Sequence, residues 1–207
     1  MKERRQREKA DRKAQILGAA RSLLFSKGLA GTSIHGIAAL VELSATAIYR
    51  HYKNKDEIIF DLSEEGLQLL QFNIARAAAG ERQLPARLKA IAMAYRDFSR
   101  EQKDYFTVIN HFLSSPLIVL PEHLKNKVDH HGEEILMQVV AVVEEGCADG
   151  QFVCEDPRRF SLMFWGAING IIQLQKIEST IFAGKDHAAL YRYTVDTLID
   201  SIRPATG

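Results

Sequence analysis

The first 55 residues are cut into short pieces by residues that start and stop helices, and this punctuation constrains the fold more than any other feature of the chain. Residues 14–27 place Ile16, Ala20, Leu23 and Leu24 on one helical stripe, and Gly28 supplies a stop. Gly31, Thr32 and Ser33 make a turn and a cap that open a helix through Leu40, and Ser44 opens another that ends near Tyr52. Asn54, with Glu57 three positions on, forms a capping box for a long helix over residues 54–79, and Gly80 ends it. Three short helices in about forty residues, the last two split by a tight turn, have helix-turn-helix spacing. Ile34, Ile37, Ala38, Leu40, Leu43 and Ile48 are the apolar positions available for its small core.

The remainder also has helical periodicity. Pro85 starts a helix over 85–100, and another covers 104–114, closed by Ser114, Ser115 and Pro116. Pro121 opens a helix over 121–150. Asp156 followed by Pro157 is a cap with proline at the first helical position, starting a helix over 156–178. The last covers 186–203, ended by Pro204. No alternating strand pattern and no repeat interrupts the series. The expected fold is all-α, with an N-terminal helix-turn-helix unit over 1–55 (motif about 33–52, basic arm 1–9) and a larger helical unit over 56–207.

The stretch LSATAIYRHYKNK gives the first unit its chemistry. Ser44 caps the helix, and Ala45, Thr46 and Ala47 leave its first turn almost bare, so it can sink into a major groove with Thr46 and the alanine methyls at base edges. Arg50, one turn on, can offer its fork to guanine. Tyr49, His51 and the hydroxyls of Thr32 and Ser33 are placed for phosphates, as is Lys55 in the first turn of the next helix. Tyr52, one turn from Ile48, belongs to the core. Charge agrees: residues 1–55 hold twelve Lys/Arg against four Asp/Glu, net +8, while the remainder is net −7. Such asymmetry points to an anionic partner at one end. The run KERRQREKADRK is expected to be an arm ahead of the first helix, disordered without DNA and able to reach a minor groove.

Residues 32–58, TSIHGIAALVELSATAIYRHYKNKDEI, resemble the DNA-binding signature of TetR-type transcriptional regulators, and AARSLLFSKG (19–28) resembles that family's first helix. FWGAINGI (164–171) looks like its late dimerisation helices. The resemblance implies base-facing roles for Ala45, Thr46, Ala47 and Arg50, phosphate contacts for Thr32, Tyr49, His51 and Lys55, and a ligand pocket in the second unit. Three departures stand out. Glu42 occupies a turn position where the family usually has glycine, Ala30 replaces an aromatic, and Ala45 replaces a frequent lysine. A left-handed backbone at Glu42 would cost about 1 kcal/mol.

The second unit is rich in large apolar residues: Tyr95, Phe98, Tyr105, Phe106, Phe112, Met137, Phe164 and Trp165. Polar Asn110, His111, Asn169 and Gln173 are set among them, and a mostly apolar cavity with few polar groups is how small-ligand sites are built. The candidate ligand set is Tyr95, Phe98, Phe106, Asn110, Phe112, Met137, Phe164, Asn169 and Gln173. The expected effector is small and lipophilic: a fatty acid, an acyl-CoA or a hydrophobic drug. Phe160, Phe164, Ile168 and Ile171 form one apolar stripe, and Tyr191, Val195, Leu198 and Ile202 another, for internal packing or for a homodimer.

Other chemistries find little support. His130 and His131 diverge by about 100° on a helix, which argues against metal binding with His123. Cys147 and Cys154 have no basic neighbour in sequence to activate a thiol, and Glu133–Glu134 and Glu144–Glu145 are adjacent pairs that point apart. No nucleophile elbow, P-loop or dinucleotide fingerprint appears, so neither enzyme activity nor a cofactor is expected. With no secretory signal and no membrane-length apolar run, the expectation is a cytoplasmic protein without a membrane partner. The reading is a ligand-responsive repressor acting as a homodimer on a palindromic double-stranded operator. A sequence-indifferent DNA binder, or a ligand-binding module with weakened DNA binding, stays open beside it.

Overall fold

The computed structural model describes residues 2–114, 122–175 and 186–204. Among these the regular structure is helical throughout: α1 (Lys2–Gly31), α2 (Ile34–Leu40), α3 (Ala45–Tyr49), α4 (Lys55–Ala79), α5 (Leu84–Glu101), α6 (Lys103–Ser114), α7 (Glu122–Ala148), α8 (Pro157–Leu174) and α9 (His187–Asp200). The turn expected at 115–116, Pro121, His123's side chain and the end of the helix expected to reach 178 lie outside the described residues. The caps appear where the sequence puts them. Ser33, Ser44 and Asp156 each accept a first-turn backbone N–H, and Asn54 caps α4 by accepting Glu57 N–H at 2.9 Å, while the Glu57 carboxylate reaches one residue beyond the expected capping box and accepts Lys53 N–H at 2.8 Å.

The N-terminal run is not a disordered arm but the opening of α1. Its Lys, Arg, Glu, Gln and Ala are strong helix formers, and pairs such as Arg4–Glu8, at 2.8 Å, add a little support. Gly28 breaks the helix at φ 68°, and one further turn reaches Gly31. The helix from Ser44 is shorter than expected, stopping at Tyr49, because Tyr52 turns into the core, where its hydroxyl donates to Asp61 at 2.9 Å.

The chain forms two compact units: Met1–Gln68 with Gln102–Val128, and Leu69–Glu101 with Asp129–Gly207. This division departs from the boundary expected at residue 55 because α6 returns to the first unit. Gly66 of α4 lets it approach, since a Cβ there would stand 3.0 Å from Tyr105 Cβ. Phe112 meets Phe60 edge-on with centroids 6.1 Å apart. The Tyr105 hydroxyl donates to Glu65 at 3.0 Å, and burial together with that carboxylate pushes the phenol's pKa up to about 12. Ile16, Ala20, Leu23 and Leu24 of α1 join Ile34, Ile37, Ala38, Ile48, Ile58, Ile59 and Leu62 in the core. Leu40 does not; it is 56% exposed, because it lies roughly 110° off the stripe formed by Ile34, Ile37 and Ala38.

In the second unit α5 packs on α8 and α9. Leu88, Ile91, Ala92, Tyr95, Phe98, Phe160, Phe164, Ile168, Tyr191 and Val195 are buried, and the Tyr191 hydroxyl donates to Ala92 O at 2.7 Å. Gly146 near the end of α7 accommodates the Phe152 ring, which a Cβ would meet at 2.0 Å. The two apolar stripes expected on the last helices are therefore mostly interior, with Ile171 and Leu198 half-buried. A different face carries exposed apolar groups: Leu162, Met163 and Leu174 on α8 and Tyr193 on α9.

Candidate nucleic-acid interface

Two serines build the reading helix. Ser33 Oγ accepts Gly36 N–H and Ser44 Oγ accepts Ala47 N–H, each at 3.1 Å, so α2 and α3 both begin on a satisfied cap. Ile48 anchors α3 by full burial. That anchor leaves Ser44, Thr46, Tyr49 and Arg50 exposed, with Ala45 and Ala47 half-buried between them. A surface with three methyls, two hydroxyls, one phenol and one guanidinium over two turns has the reach and chemistry for base edges and flanking phosphates. Glu42 turns the chain between α2 and α3 at φ 53°, the left-handed backbone its position in the motif demands.

His51 is where the expected phosphate contacts converge with something the sequence reading missed. Its ring is half-buried, and Nδ1 is sealed with no hydrogen-bond partner. Burial lowers its pKa, and Lys9, Arg12, Lys13 and Arg50 lower it further. Bases at 9, 12 and 13 thus share one face of α1, and it is the face that looks toward His51. Their spacing of three and four was the signal that could have revealed this, had the run been taken as helix. Lys13 also stacks over the Tyr52 ring, 4.5 Å from its centroid, and lies 3.7 Å from Asp61.

Two expected contacts are modified. Thr32 is 1% exposed and its hydroxyl donates to Gly28 O at 2.9 Å, so its side chain is closed off from DNA. Its place in the motif and the resemblance both put it on the surface, whereas the break at Gly28 leaves a carbonyl that needs a donor. Lys55 Nζ donates to Leu29 O at 3.1 Å, tying the start of α4 to the end of α1. An ammonium has three donors, so this bond leaves two for a phosphate.

The candidate ligand residues are divided. Phe106, Asn110 and Phe112 belong to the first unit, where Asn110 Nδ2 donates to Phe106 O at 2.8 Å. Tyr95, Phe98, Met137, Phe164, Asn169 and Gln173 belong to the second. There the Tyr95 hydroxyl donates to Asn169 Oδ1 at 2.9 Å. Phe98 and Phe164 are buried, and Gln173 is half-buried. Met137 is not an interior residue; it is 39% exposed beside Arg158, which comes to 3.5 Å of its sulfur. His130 is exposed and 3.3 Å from Glu134. Cys147 and Cys154 are half-buried thiols close enough to interact, and burial, with Cys154, raises the pKa of Cys147.

An all-α chain with a helix-turn-helix opening, a groove-sized tip and basic flanks is a DNA-binding regulator by architecture. Residues 16–62 match the profile of "Bacterial regulatory proteins, tetR family", and residues 88–198 that of "Tetracyclin repressor-like, C-terminal domain". The chain belongs to the TetR family of transcriptional regulators. A curated relative, the probable HTH-type transcriptional regulator ArpR of Pseudomonas putida, is 35% identical over 82 residues, which is 39% of each protein's length. Among solved structures, a Rhodococcus sp. RHA1 protein of unknown function superposes with a TM-score of 0.76 at 22% identity, covering 93% of this chain and 95% of that one. FadR of Bacillus subtilis in complex with stearoyl-CoA superposes at 0.70 and 18% identity, covering 92% and 99%. Among the described residues no helix is long and apolar enough to cross a membrane.

Proposed function

We propose that this regulator is a cytoplasmic homodimeric repressor that leaves a palindromic operator when a small lipophilic effector binds its second unit. The observation that carries the reading is the tip of α3, where Ala45, Thr46 and Ala47 stand clear of bulk and Tyr49 and Arg50 are exposed behind them. Thr46, the two alanines and Arg50 face bases. Ser33, Ser44, Tyr49, His51 and Lys55 meet phosphates, joined by Lys9 and Arg12 of α1. The effector reading is supported by the polar Tyr95–Asn169 pair within an apolar interior, and by the binding of stearoyl-CoA by FadR. The homodimer reading is supported by exposed Leu162, Met163, Leu174 and Tyr193. Helix α4 contributes residues to both units, which makes it the candidate element for coupling effector to operator.

The test is to equilibrate the protein with sheared DNA of its own source at about 0.15 M salt and sequence what remains bound. Enrichment of a short palindrome, lost on adding saturating effector, is the expected result. Even recovery of all fragments would overturn operator reading in favour of the sequence-indifferent binder, a reading that the basic face of α1 by itself supports.

A further inference from the structure

Arg96 lies on α5 in the second unit, and only 9% of its surface is exposed. Its guanidinium carbon sits 5.8 Å from the centroid of the Tyr191 ring on α9, and its neighbours on α5, Ala92, Tyr95 and Phe98, are buried, as is Val195 one turn from Tyr191. Arginine in such a place ordinarily holds a carboxylate of its own fold. This one does not. Among the described residues its side chain makes no hydrogen bond and no ion pair, and Nε is sealed from solvent without an acceptor. The acids on the neighbouring elements are engaged elsewhere or face outward. Asp196 takes Lys89 at 2.6 Å, Asp186 lies 3.6 Å from Arg192, and Asp97 is exposed.

A guanidinium cannot shed its proton to escape this position. Burying it without a counter-charge is costly, and the face of one tyrosine returns only part of that cost. The terminal nitrogens are not among the sealed atoms, so the end of the side chain that carries most of the donors is the end open to a visitor. A fork of parallel N–H groups is matched to two oxygens of one anion. We propose that Arg96 is the anion-recognising residue of the effector site, taking the carboxylate or phosphate head of an amphiphile. This rests on the reading that the second unit binds a lipophilic ligand, and it narrows that class: the effector carries a negative head, and neutral hydrophobic compounds are excluded as good ligands.

Three probes with one chain length separate the possibilities: dodecanoate, dodecyl phosphate and dodecanol, each titrated below its micelle concentration against the full-length protein and its Arg96→Met and Arg96→Lys variants. At least one anionic probe is expected to bind the unaltered protein about tenfold or more tighter than the alcohol, the worth of a charge-assisted hydrogen bond. Which anion wins tells carboxylate from phosphate. Arg96→Met is expected to erase the preference, and its ligand-free form to unfold at the same or a higher temperature, because an unpaired charge has been removed. Arg96→Lys keeps the charge and loses the fork, so an intermediate preference is expected, and this variant carries the test if the methionine protein does not fold. Equal binding of all three probes, unchanged in the variants, would leave the effector reading intact and overturn the role of Arg96. A ligand-free Arg96→Met protein that unfolds earlier while keeping the anion preference would make Arg96 structural. No binding of any probe would overturn the lipophilic-effector reading itself, and the site with it.

Discussion

Burial and four nearby cations resist the protonation of His51 in the free protein. Its folded pKa lies below the ordinary value of about 6.5, so the unfolded chain takes the proton more readily, and stability falls as pH drops through that value. A phosphate arriving beside it reverses the balance of charge and raises the pKa, so DNA binding takes up a proton. Operator affinity is therefore expected to rise as pH falls from about 7.5 to 6, by up to about tenfold for each unit of pKa gained. Fluorescence anisotropy with wild type and His51→Gln checks this, since the excess pH slope belongs to the wild type alone. Glu42 is the second residue that works against its surroundings, at φ 53° and acidic beside a DNA-reading helix. Glu42→Gly is expected to stabilise the fold by about 1 kcal/mol and to tighten DNA binding, measured by thermal unfolding and by the same anisotropy titration. A lower unfolding temperature would contradict the strain assigned to this turn.

At the scale of elements, α1 carries the least expected behaviour. Because its basic run is helical, Lys9 and Arg12 are held in place beside His51 and are not a loose cloud of charge. The double change Lys9→Gln and Arg12→Gln keeps helix propensity and should reduce the slope of log affinity against log salt by about 2, with the preferred operator unchanged. An unchanged slope would mean these residues do not reach phosphate. What was legible in sequence and what was not divides along the range of the physics involved. Ser33, Ser44, Asn54 and Asp156 were legible as caps because capping is settled within four residues. Gly28 as a break was legible for the same reason, and Glu42 as a left-handed turn through the resemblance, because it stands where the family usually has glycine. The helical state of residues 2–13 was available in local propensity, since the run is exposed and packs against little, and the exposure of Leu40 was available in its angle to the Ile34–Ile37–Ala38 stripe. The early end of α3, by contrast, depends on packing, Tyr52 being drawn out of the helix by Asp61, nine residues away. On α8 and α9 the spacing of apolar residues was plain, but periodicity cannot say which of two apolar faces a protomer keeps for itself.

For the whole molecule, that choice of face decides which apolar groups are left for the proposed dimer contact. The stripe with Phe160, Phe164 and Ile168 is consumed inside the protomer, leaving Leu162, Met163 and Leu174 with Tyr193 for a partner. Met163→Glu is expected to leave the helix content unchanged and convert a dimer to a monomer by light scattering, because a charge in the core of an apolar interface has no compensating partner. A variant that stays dimeric would place the interface elsewhere. The candidate ligand set was the least legible part of the site, since it joins Phe106, Asn110 and Phe112 to residues of a different unit. Nothing local in α6 announces that it folds with the helix-turn-helix.

That return of α6 also bears on the order in which the protein is made. The DNA-reading unit takes Met1–Gln68, yet its complement of residues closes only with Gln102–Val128. On the ribosome the recognition helix emerges early, and the partners of Phe60, Glu65 and Gly66 follow only after α5 of the other unit has passed. A nascent or prematurely terminated chain that stops short of Gln102–Val128 therefore presents its DNA-reading face on an unfinished support.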